Sequence, residues 1–400
     1  MKMKKRLKKM GARLCAAWLS ILLLCSGVTV NAQGEQDDRQ KKQVAMSYTA
    51  KAAYLVEQDT GKVLFEQNPT KALAPASLTK LMDLLLIYEA LEEGKLTLDE
   101  KLTCSAYAKS MGGSEIWLKE GEQMTVEELL KALIVASAND AAVVFAEALA
   151  TTEQAFVERM NEKAQELELV NTHFVNATGF DEEGHYTCAQ DVAAIARELM
   201  TRYDDEITRF STIWMDSLRG GETELVNTNR LVRFYDGTTG LKTGTTDAAG
   251  HCLCATATRD GMSLISVIMG CKSSQDRFEE SKQLLDYGFT NFLNYQPEML
   301  EEIGTVAVIR GEKTQVEGYL ERMPQAVIRR SEKEQMEVKE EYLPQIEAPV
   351  KKGQTIGRVL LVQDGETVAQ QPIQAAEDIA ELTFLKSLGY LLHGLVSMAG

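Results

Sequence analysis

The chain has 400 residues, 44% of them hydrophobic, so it is too long for one small domain and too apolar for a disordered polypeptide. Its net charge is −16, and because seven positive charges lie within the first thirteen residues, the remainder carries −23. Such an acidic surface repels nucleic acid, which we exclude as a partner.

The basic N-terminus leads into an apolar run from Leu14 to Leu24, and small and polar residues then end at Ala32. This pattern is typical of a secretory signal peptide and predicts cleavage after Ala32. The alternatives are an uncleaved membrane anchor, for which eleven strongly apolar residues are short, and a lipoprotein attached through Cys25. We therefore expect a signal peptide over 1–32, a leader over 33–46 and export across the cytoplasmic membrane.

Residues 47–295 have the pattern of one α+β domain. Two strands, 52–56 and 62–65, precede a helical block, in which Thr125 and Glu128 form a capping-box pattern. Three further strands and a last helix follow. The predicted helices are 76–93, 125–136, 140–150, 153–168, 189–202 and 274–287, and the later strands are 241–246, 251–258 and 263–269. This order predicts an antiparallel sheet to which both ends of the region contribute.

The C-terminal part changes character near Pro297. Short β-rich runs without helical periodicity predict a small all-β domain over 296–378. In the tail, 379–400, leucines recur at helical spacing beside a narrow polar stripe that includes Lys386 and His393. We expect an amphipathic helix that binds the membrane surface, the alternatives being a helix docked on the β-domain or a spanning helix.

Five cysteines remain beyond the signal peptide, and the chain has only four histidines. An odd, sparse set of cysteines is no disulfide framework, and no histidines are paired at the spacing of metal ligands. We expect no metal and no cofactor, and a zinc hydrolase is disfavoured.

Three short motifs occur in order: Ser77-Leu78-Thr79-Lys80, Ser137-Ala138-Asn139 and Lys242-Thr243-Gly244. On a helix, Ser77 and Lys80 are neighbours at i and i+3, so the lysine amine can remove the serine proton. The alternative is that Ser77 caps the helix, but a capping box would have Glu or Gln at position 80. Ser77 and Lys80 are therefore our candidate nucleophile and base.

The other two motifs fit the same site. Ser137 offers a second hydroxyl for proton relay and Asn139 an amide to hold a peptide bond, although Asn139 alone would be interpreted as a helix cap. Lys242, Thr243 and Thr245 lie on a strand, where they could grip a carboxylate while the strand edge binds an extended peptide. The alternative is an edge lysine that blocks aggregation.

These motifs and the runs around them resemble the low-molecular-mass penicillin-binding proteins that are serine-type D-alanyl-D-alanine carboxypeptidases. The resemblance covers roughly 47–293 closely and the rest more loosely. It departs at Ala138, where many relatives have Gly, and at Thr245, where others have His or Tyr. The runs that carry it are 74–82, 117–122, 137–142, 171–176 and 240–244.

The resemblance implies a β-lactamase/penicillin-binding transpeptidase-like fold and acyl transfer from peptidoglycan stem peptides, with β-lactams as covalent inhibitors. Ser77, Lys80 and Ser137 would be catalytic, and the backbone N–H groups of Ser77 and Thr245 would hold the oxyanion. The substrate-binding residues would be Asn139, Lys242, Thr243, Gly244 and Thr245.

Three other functions stay open on the sequence alone. A class A-like β-lactamase is disfavoured, because 166–171 lacks the Glu-x-x-Leu-Asn pattern that activates its water. A D,D-endopeptidase that cuts cross-links shares the same residues. A non-catalytic wall-binding or β-lactam-sensing module would not need intact Ser77, Lys80, Ser137 and Lys242.

Overall fold

The computed structural model describes residues 48–389. The predicted signal peptide and leader, with the cleavage point after Ala32, lie outside the described residues. The end of the predicted tail helix, 390–400, lies outside them as well, so the structure describes the tail only as far as residue 389.

Between residues 48 and 295 the structure has ten strands. They are β1 Ala52–Glu57, β2 Val63–Gln67, β3 Lys101–Thr103, β4 Gln123–Thr125, β5 Met215–Leu218, β6 Thr223–Val226, β7 Thr238–Thr246, β8 Gly250–Arg259, β9 Met262–Cys271 and β10 Phe292–Tyr295. Five of them form an antiparallel sheet in the order β2-β1-β9-β8-β7. Both ends of the region therefore share one sheet, as the sequence predicts, and β7 lies at its edge.

The helices of this region are α1 Lys80–Glu92, α2 Ala106–Lys109, α3 Val126–Lys131, α4 Asn139–Ala150, α5 Glu153–Glu166, α6 Ala189–Arg202, α7 Asp204–Ser211, α8 Leu231–Phe234 and α9 Ser274–Asn291. A 3₁₀ turn, Ala76–Thr79, precedes α1, and a π-helical turn, Ala132–Ala136, follows α3. The helix predicted from residue 76 therefore begins as a tighter turn, which separates Ser77 from the α-helix that carries Lys80.

Helix α1 lies at the centre of the helical block. Nine of its thirteen residues are buried, so it is a core helix rather than an amphipathic surface helix. The predicted capping box at the start of α3 is present: the Thr125 hydroxyl accepts from the Glu128 N–H, and the Glu128 carboxylate accepts from the Thr125 N–H. Such a cap stabilises a helix start by about 1 kcal/mol.

From residue 296 to residue 389 the chain is all-β apart from a 3₁₀ turn, Arg330–Gln335, and the beginning of a tail helix. Its strands are β11 Thr305–Ile309, β12 Gln315–Tyr319, β13 Ala326–Arg329, β14 Met336–Tyr342, β15 Ile346–Glu347, β16 Thr355–Gln363 and β17 Glu366–Ala375. Six of these form a sheet in the order β14-β16-β17-β12-β11-β15, while β13 pairs with β10. The α+β region followed by an all-β region matches the predicted fold class.

Two main hydrophobic clusters underlie this division. One extends from Ala52 to Met269, and the other from Val306 to Ile379. The exact boundary between 295 and 296 stays a prediction, because β10 ends at Tyr295 and pairs across it with β13.

The described part of the tail is helical over 384–389, where Phe384 and Leu385 are about four-fifths exposed. None of the helices within 48–389 is long and apolar enough to cross a membrane.

Candidate active site

Ser77 lies in the 3₁₀ turn, against the edge strand β7. The preceding residue, Ala76, has a left-handed backbone with φ +48°, which turns the chain sharply before the serine. Strand β7 passes so close that a Cβ on Gly244 would be 3.1 Å from the Ser77 nitrogen. Gly179 closes the other side, since a Cβ there would be 1.9 Å from the Ala76 oxygen. The predicted nucleophile is thus enclosed by two glycines that leave its backbone N–H beside the strand edge.

Lys80 is fully buried and reaches back to the serine. Its Nζ is 3.1 Å from Ser77 Oγ, 2.7 Å from Asn139 Oδ1 and 2.6 Å from the Thr178 carbonyl. Burial lowers the pKa of Lys80 to about 8, against opposing effects of Asp83 and Asp140. A neutral amine has two N–H donors and one lone pair. When Asn139 and Thr178 take the two donors, the lone pair faces Ser77 Oγ.

Ser137 follows the π-helical turn in a left-handed conformation, with φ 63° and ψ 31°. Turns of this kind are frequent at functional sites because they redirect one side chain out of a helix. The Ser137 hydroxyl accepts a 2.6 Å hydrogen bond from Lys242 Nζ. The motifs at 137–139 and 242–244 are therefore joined by the hydrogen bond between Lys242 and Ser137.

Asn139 is the first residue of α4, but its side chain does not cap the helix. Its Oδ1 accepts from Lys80, and its Nδ2 donates to the Gly112 carbonyl at 2.6 Å. The next residue, Asp140, accepts backbone N–H bonds from Ile116 and Leu118 and so ties the loop over 111–122 to α4. The structure thus places Asn139 on the lysine base rather than in the capping role that sequence alone would favour.

Lys242 lies on β7 and is 1% exposed. Besides Ser137, its Nζ donates to the Thr243 carbonyl at 3.1 Å, and burial together with the charge of Lys80 lowers its pKa well below the usual range. The Thr243 hydroxyl donates to Thr228. Lys242 is therefore buried and hydrogen-bonded to Ser137 inside the site, whereas the sequence placed it on an exposed strand edge.

Arg277 on α9 completes the site, and no sequence motif indicated it. Its Nη1 donates to the Gly244 carbonyl at 3.0 Å and to Thr245 Oγ1 at 2.9 Å, while its Nε has no hydrogen-bond partner among the described residues. The residue is buried, and burial lowers its pKa. It adds a positive charge beneath Thr245, although the two residues are 32 positions apart in the chain. The contact exists because α9 packs onto the sheet, so the sequence alone does not show it.

His185 supports the nucleophile turn from behind and was also missed. Its Nδ1 accepts the Val175 N–H at 3.2 Å, so its Nε2–H donates to Thr79 Oγ1 at 2.9 Å. Burial lowers the pKa of His185 to about 4, which keeps the ring neutral. A lone histidine carries no motif, so nothing in its sequence context singled it out.

All eight predicted site residues, Ser77, Lys80, Ser137, Asn139, Lys242, Thr243, Gly244 and Thr245, belong to this one cluster of contacts. Within residues 48–389, no group of three or more His, Cys, Asp or Glu side chains is placed to hold a metal ion. The cysteines of the described chain are free and buried. The arrangement is suited to nucleophilic acyl transfer by a serine with a lysine base.

Comparison with protein families independently supports a serine acyl-transfer enzyme. The D-alanyl-D-alanine carboxypeptidase family, Peptidase_S11, matches residues 38–273. Residues 300–381 match the C-terminal domain of penicillin-binding protein 5. The two matches together cover most of the described chain.

Individual relatives agree. The chain is 40% identical to the D-alanyl-D-alanine carboxypeptidase DacF of Bacillus subtilis (strain 168), over 89% of this chain and 92% of that protein. It is 33% identical to DacC of Escherichia coli (strain K12), over 84% and 86% respectively.

Solved structures are similar as well. Penicillin-binding protein 5 from Haemophilus influenzae has a TM-score of 0.72 at 30% identity, covering 84% of this chain and 99% of that one. Penicillin-binding protein D2 from Listeria monocytogenes, in its ampicillin-bound form, has a TM-score of 0.55 at 31% identity, covering 62% and 100%. The chain belongs to the D-alanyl-D-alanine carboxypeptidase family of low-molecular-mass penicillin-binding proteins and is a serine-type D-alanyl-D-alanine carboxypeptidase.

Proposed function

We propose that this member of the family removes the terminal D-alanine from peptidoglycan stem pentapeptides through an acyl-enzyme on Ser77. The observation that carries the proposal is the 3.1 Å contact between Lys80 Nζ and Ser77 Oγ, in a buried setting that lowers the lysine pKa to about 8. A base with a pKa near the working pH is both deprotonated often enough and strong enough to act.

In the acylation step, Lys80 takes the proton of Ser77 while Oγ attacks the carbonyl carbon of the penultimate D-alanine. The carbonyl oxygen becomes an oxyanion, for which the backbone N–H groups of Ser77 and Thr245 are the proposed donors. The close approach of Gly244 to the Ser77 nitrogen supports this role. Removing one such donor typically costs about 10²–10³ in rate.

The leaving D-alanine needs a proton on its nitrogen when the peptide bond breaks. We assign this step to Ser137, whose hydroxyl is held by Lys242 at 2.6 Å. As the C–N bond breaks, the Ser137 proton passes to the leaving amine, and the Lys80 ammonium formed in the acylation step returns a proton to Ser137, so that Lys80 and Ser137 are both restored. Asn139, fixed by Lys80 and by the Gly112 carbonyl, is the proposed holder of the substrate peptide bond.

The terminal carboxylate is assigned to the Thr245 hydroxyl and to the Thr243 hydroxyl, which would turn from Thr228 to the substrate on binding, with Lys242 and Arg277 supplying positive charge behind them. Arg277 already donates to Thr245 Oγ1, so the threonine can present its own proton outward. Charged hydrogen bonds of this kind are worth about 1.5–3 kcal/mol.

Water then releases the acyl group from Ser77. A β-lactam would acylate the same oxygen by opening its ring, and its retained leaving group would hinder water, which gives stable inhibition rather than β-lactamase activity. The Listeria relative has been solved in an ampicillin-bound form, which supports this part of the proposal by similarity.

We further propose that the enzyme is exported by the signal peptide at 1–32 and lies on the outer face of the cytoplasmic membrane, held by the tail from residue 379. The exposure of Phe384, Leu385 and Leu388 supports an apolar face available to lipid. Because the protein is acidic, binding should depend on apolar burial and resist salt. Deleting 384–400, which leaves Ile379 in the core of the β region and the bridges of Ile379 and Glu381 intact, should release an enzyme that is fully active on small substrates. Continued membrane association would contradict the proposal.

The central test is intact-mass detection of a penicilloyl adduct, followed by assay of D-alanine release from a stem pentapeptide. Ser77→Ala should abolish both, while Ser105→Ala, a serine that caps α2 away from the site, should affect neither. Labelling of the Ser77→Ala protein would show that another residue is the nucleophile.

A further inference from the structure

The hydroxyl of Thr245 has two side-chain partners, which come from two different elements. Arg277 on α9 donates to Thr245 Oγ1 through Nη1 at 2.9 Å, and the Nδ1 atom of His251 on β8 lies 3.3 Å from the same oxygen. Thr245 and His251 are directly opposite each other in the register of β7 and β8. The imidazole therefore lies next to the hydroxyl to which the terminal carboxylate is assigned, and no step of the proposed mechanism uses it.

The direction of the Thr245 proton follows from these two contacts. A hydroxyl has one proton to donate and two lone pairs that accept. The Arg277 guanidinium can only donate, so it takes one lone pair and leaves the proton to be donated elsewhere. The acceptor within reach of Thr245 Oγ1 among the described residues is His251 Nδ1, which accepts when the ring is neutral and carries its proton on Nε2. In that state the Thr245 proton is directed toward β8 and not toward a substrate.

A charged His251 reverses this contact. Both ring nitrogens of an imidazolium are donors, so Nδ1–H would donate to the second lone pair of Thr245 Oγ1. The Thr245 proton is then left for a carboxylate, and the imidazolium adds its own positive charge to that of Arg277. Hydrogen bonds and charges of this kind are stronger toward an anion than neutral hydrogen bonds are.

The charged groups that act on His251 belong to α9. Burial first, and the charge of Arg277 second, lower the pKa of His251 from its usual 6.5, while the carboxylate of Asp276 opposes them. The ring is therefore neutral at neutral pH and becomes charged in more acidic solution.

Other titratable groups around the β7–β8 hairpin are neutral, bonded or solvated. Cys271 on β9 is opposite His251 in the register, and burial raises the pKa of its thiol, so the thiol carries no charge. The Asp181 carboxylate accepts from Thr246 Oγ1 across the hairpin, and Asp247 in the turn is exposed to solvent. The protonation of His251 therefore depends mainly on α9 and on the group that binds beside it.

We propose that His251 is a positioning residue for substrate binding: it directs the Thr245 proton away from the substrate while the ring is neutral and toward the terminal carboxylate once the ring is charged. This inference rests on the proposed function, which assigns that carboxylate to Thr245. Peptides with a free terminal carboxylate should then bind more tightly in mildly acidic solution, whereas esterified peptides should not. The carboxylate itself stays ionised above pH 5, because the pKa of such a group is about 3.5.

The test measures binding without catalysis. Ser77→Ala removes the nucleophile, so the affinity for a peptide can be followed by equilibrium titration between pH 7.5 and pH 5.0. The ligands are an acyl-D-Ala-D-Ala peptide and its carboxyl methyl ester, and the quantity compared is the ratio of their dissociation constants at each pH. A dissociation constant does not depend on the folded fraction, so partial misfolding of a variant does not alter the ratio.

The expected result is a preference for the free carboxylate that rises on acidification. In the Ser77→Ala protein the ratio should rise by about three- to tenfold, as expected for one partly screened charged hydrogen bond. Adding His251→Gln should keep a preference but remove its pH dependence, and His251→Phe, which keeps a ring without nitrogen, should do the same. The matched control is His173→Gln, because His173 contacts the Gly184 carbonyl and not Thr245, and its ratio should rise as in the parent protein.

The outcomes separate this inference from the function beneath it. A rise that persists in both His251 variants would show that another group, such as Lys242, takes up the proton, and would overturn the role of His251. A preference for the free carboxylate that does not change with pH in the Ser77→Ala protein would also overturn that role while leaving the proposed function intact. A rise that is lost in His173→Gln as well would show a general effect of removing a histidine and reject the specific role. Equal affinity for the two peptides at every pH would instead reject the assignment of the carboxylate to Thr245, which belongs to the proposed function.

Discussion

The two regions of the described chain bury different kinds of side chain. Every buried polar or charged residue within 48–389 lies between Glu57 and Ser281, and the C-terminal β region from Thr305 onward buries only apolar ones. Buried polar groups cost stability unless they are bonded, and buried cations cost most. The first region carries Lys80, Lys242 and Arg277 within its apolar core.

The β region is built in the opposite way. Several of its charges form ion pairs at the surface, as Arg310 does with Glu347, while its core contains mainly valine and isoleucine. The comparison indicates that the acyl-transfer site of this chain is built on a partly desolvated polar core, which the β region, with only apolar residues buried, does not have. Changes of equal size should therefore have very unequal effects in the two regions.

The largest effect should follow loss of the buried base. Lys80→Met keeps the side-chain length but removes the amine beside Ser77, and no histidine within 48–389 is hydrogen-bonded to Ser77. We expect the acylation rate to fall by about 10²–10⁴, as measured with a chromogenic β-lactam, while the exposed Lys95→Met should behave as wild type. Activity within tenfold of wild type would mean that another group takes the proton.

A second test concerns stability, through His185. Its pKa is lowered to about 4, by burial first and by His173 second, so the unfolded chain takes up a proton on acidification before the folded chain does. The stabilisation is fully present above pH 6.5 and is lost as the pH falls toward 4, by a total of about 3 kcal/mol. Urea unfolding at pH 7 and pH 4 measures the free energy of unfolding of both proteins. Between these two pH values, His185→Gln should lose about 3 kcal/mol less stability than the wild type. The same loss in both proteins would contradict a buried neutral histidine.

The third prediction tests whether Arg277 contributes to binding of the substrate's terminal carboxylate. Arg277→Gln removes the charge behind Thr245, and we expect a loss of about 1.5–3 kcal/mol in transition-state binding. The loss should appear in kcat/KM for an acyl-D-Ala-D-Ala peptide and be much smaller for its carboxyl-esterified analogue. Equal losses for both substrates would show that Arg277 acts only by holding the Gly244 carbonyl.

Much of this organisation can be predicted from sequence because it depends on local patterns. The capping box at Thr125, the meander β7-β8-β9 and the i, i+3 relation of Ser77 and Lys80 are all short-range signals. The three motifs identify the reactive hydroxyls and lysines from the sequence alone, before the fold is known.

The rest depends on long-range packing. Arg277 and His185 carry no motif, and each acquires its role only when a helix or loop is laid against β7 or the 3₁₀ turn. The bonding of Lys242 to Ser137, rather than to an open strand edge, likewise depends on how deeply β7 is covered. Spacing identifies which residues react, whereas burial determines their protonation, and burial is a property of the fold.

The smallest effect should come from the β region, and it completes the comparison with Arg277. Arg358 on β16 forms an ion pair with Glu341 on β14, N to O 2.6 Å, and both side chains are about half exposed. Solvent screens such pairs, which typically contribute under about 1 kcal/mol. Arg358→Gln should therefore change the free energy of unfolding by less than about 1 kcal/mol and leave kcat/KM unchanged, although it is the same substitution as Arg277→Gln. Denaturant unfolding and the peptide assay on the two variants side by side provide the measurement. A loss of activity in Arg358→Gln would show that the β region contributes to catalysis and would end the division of roles between the two regions.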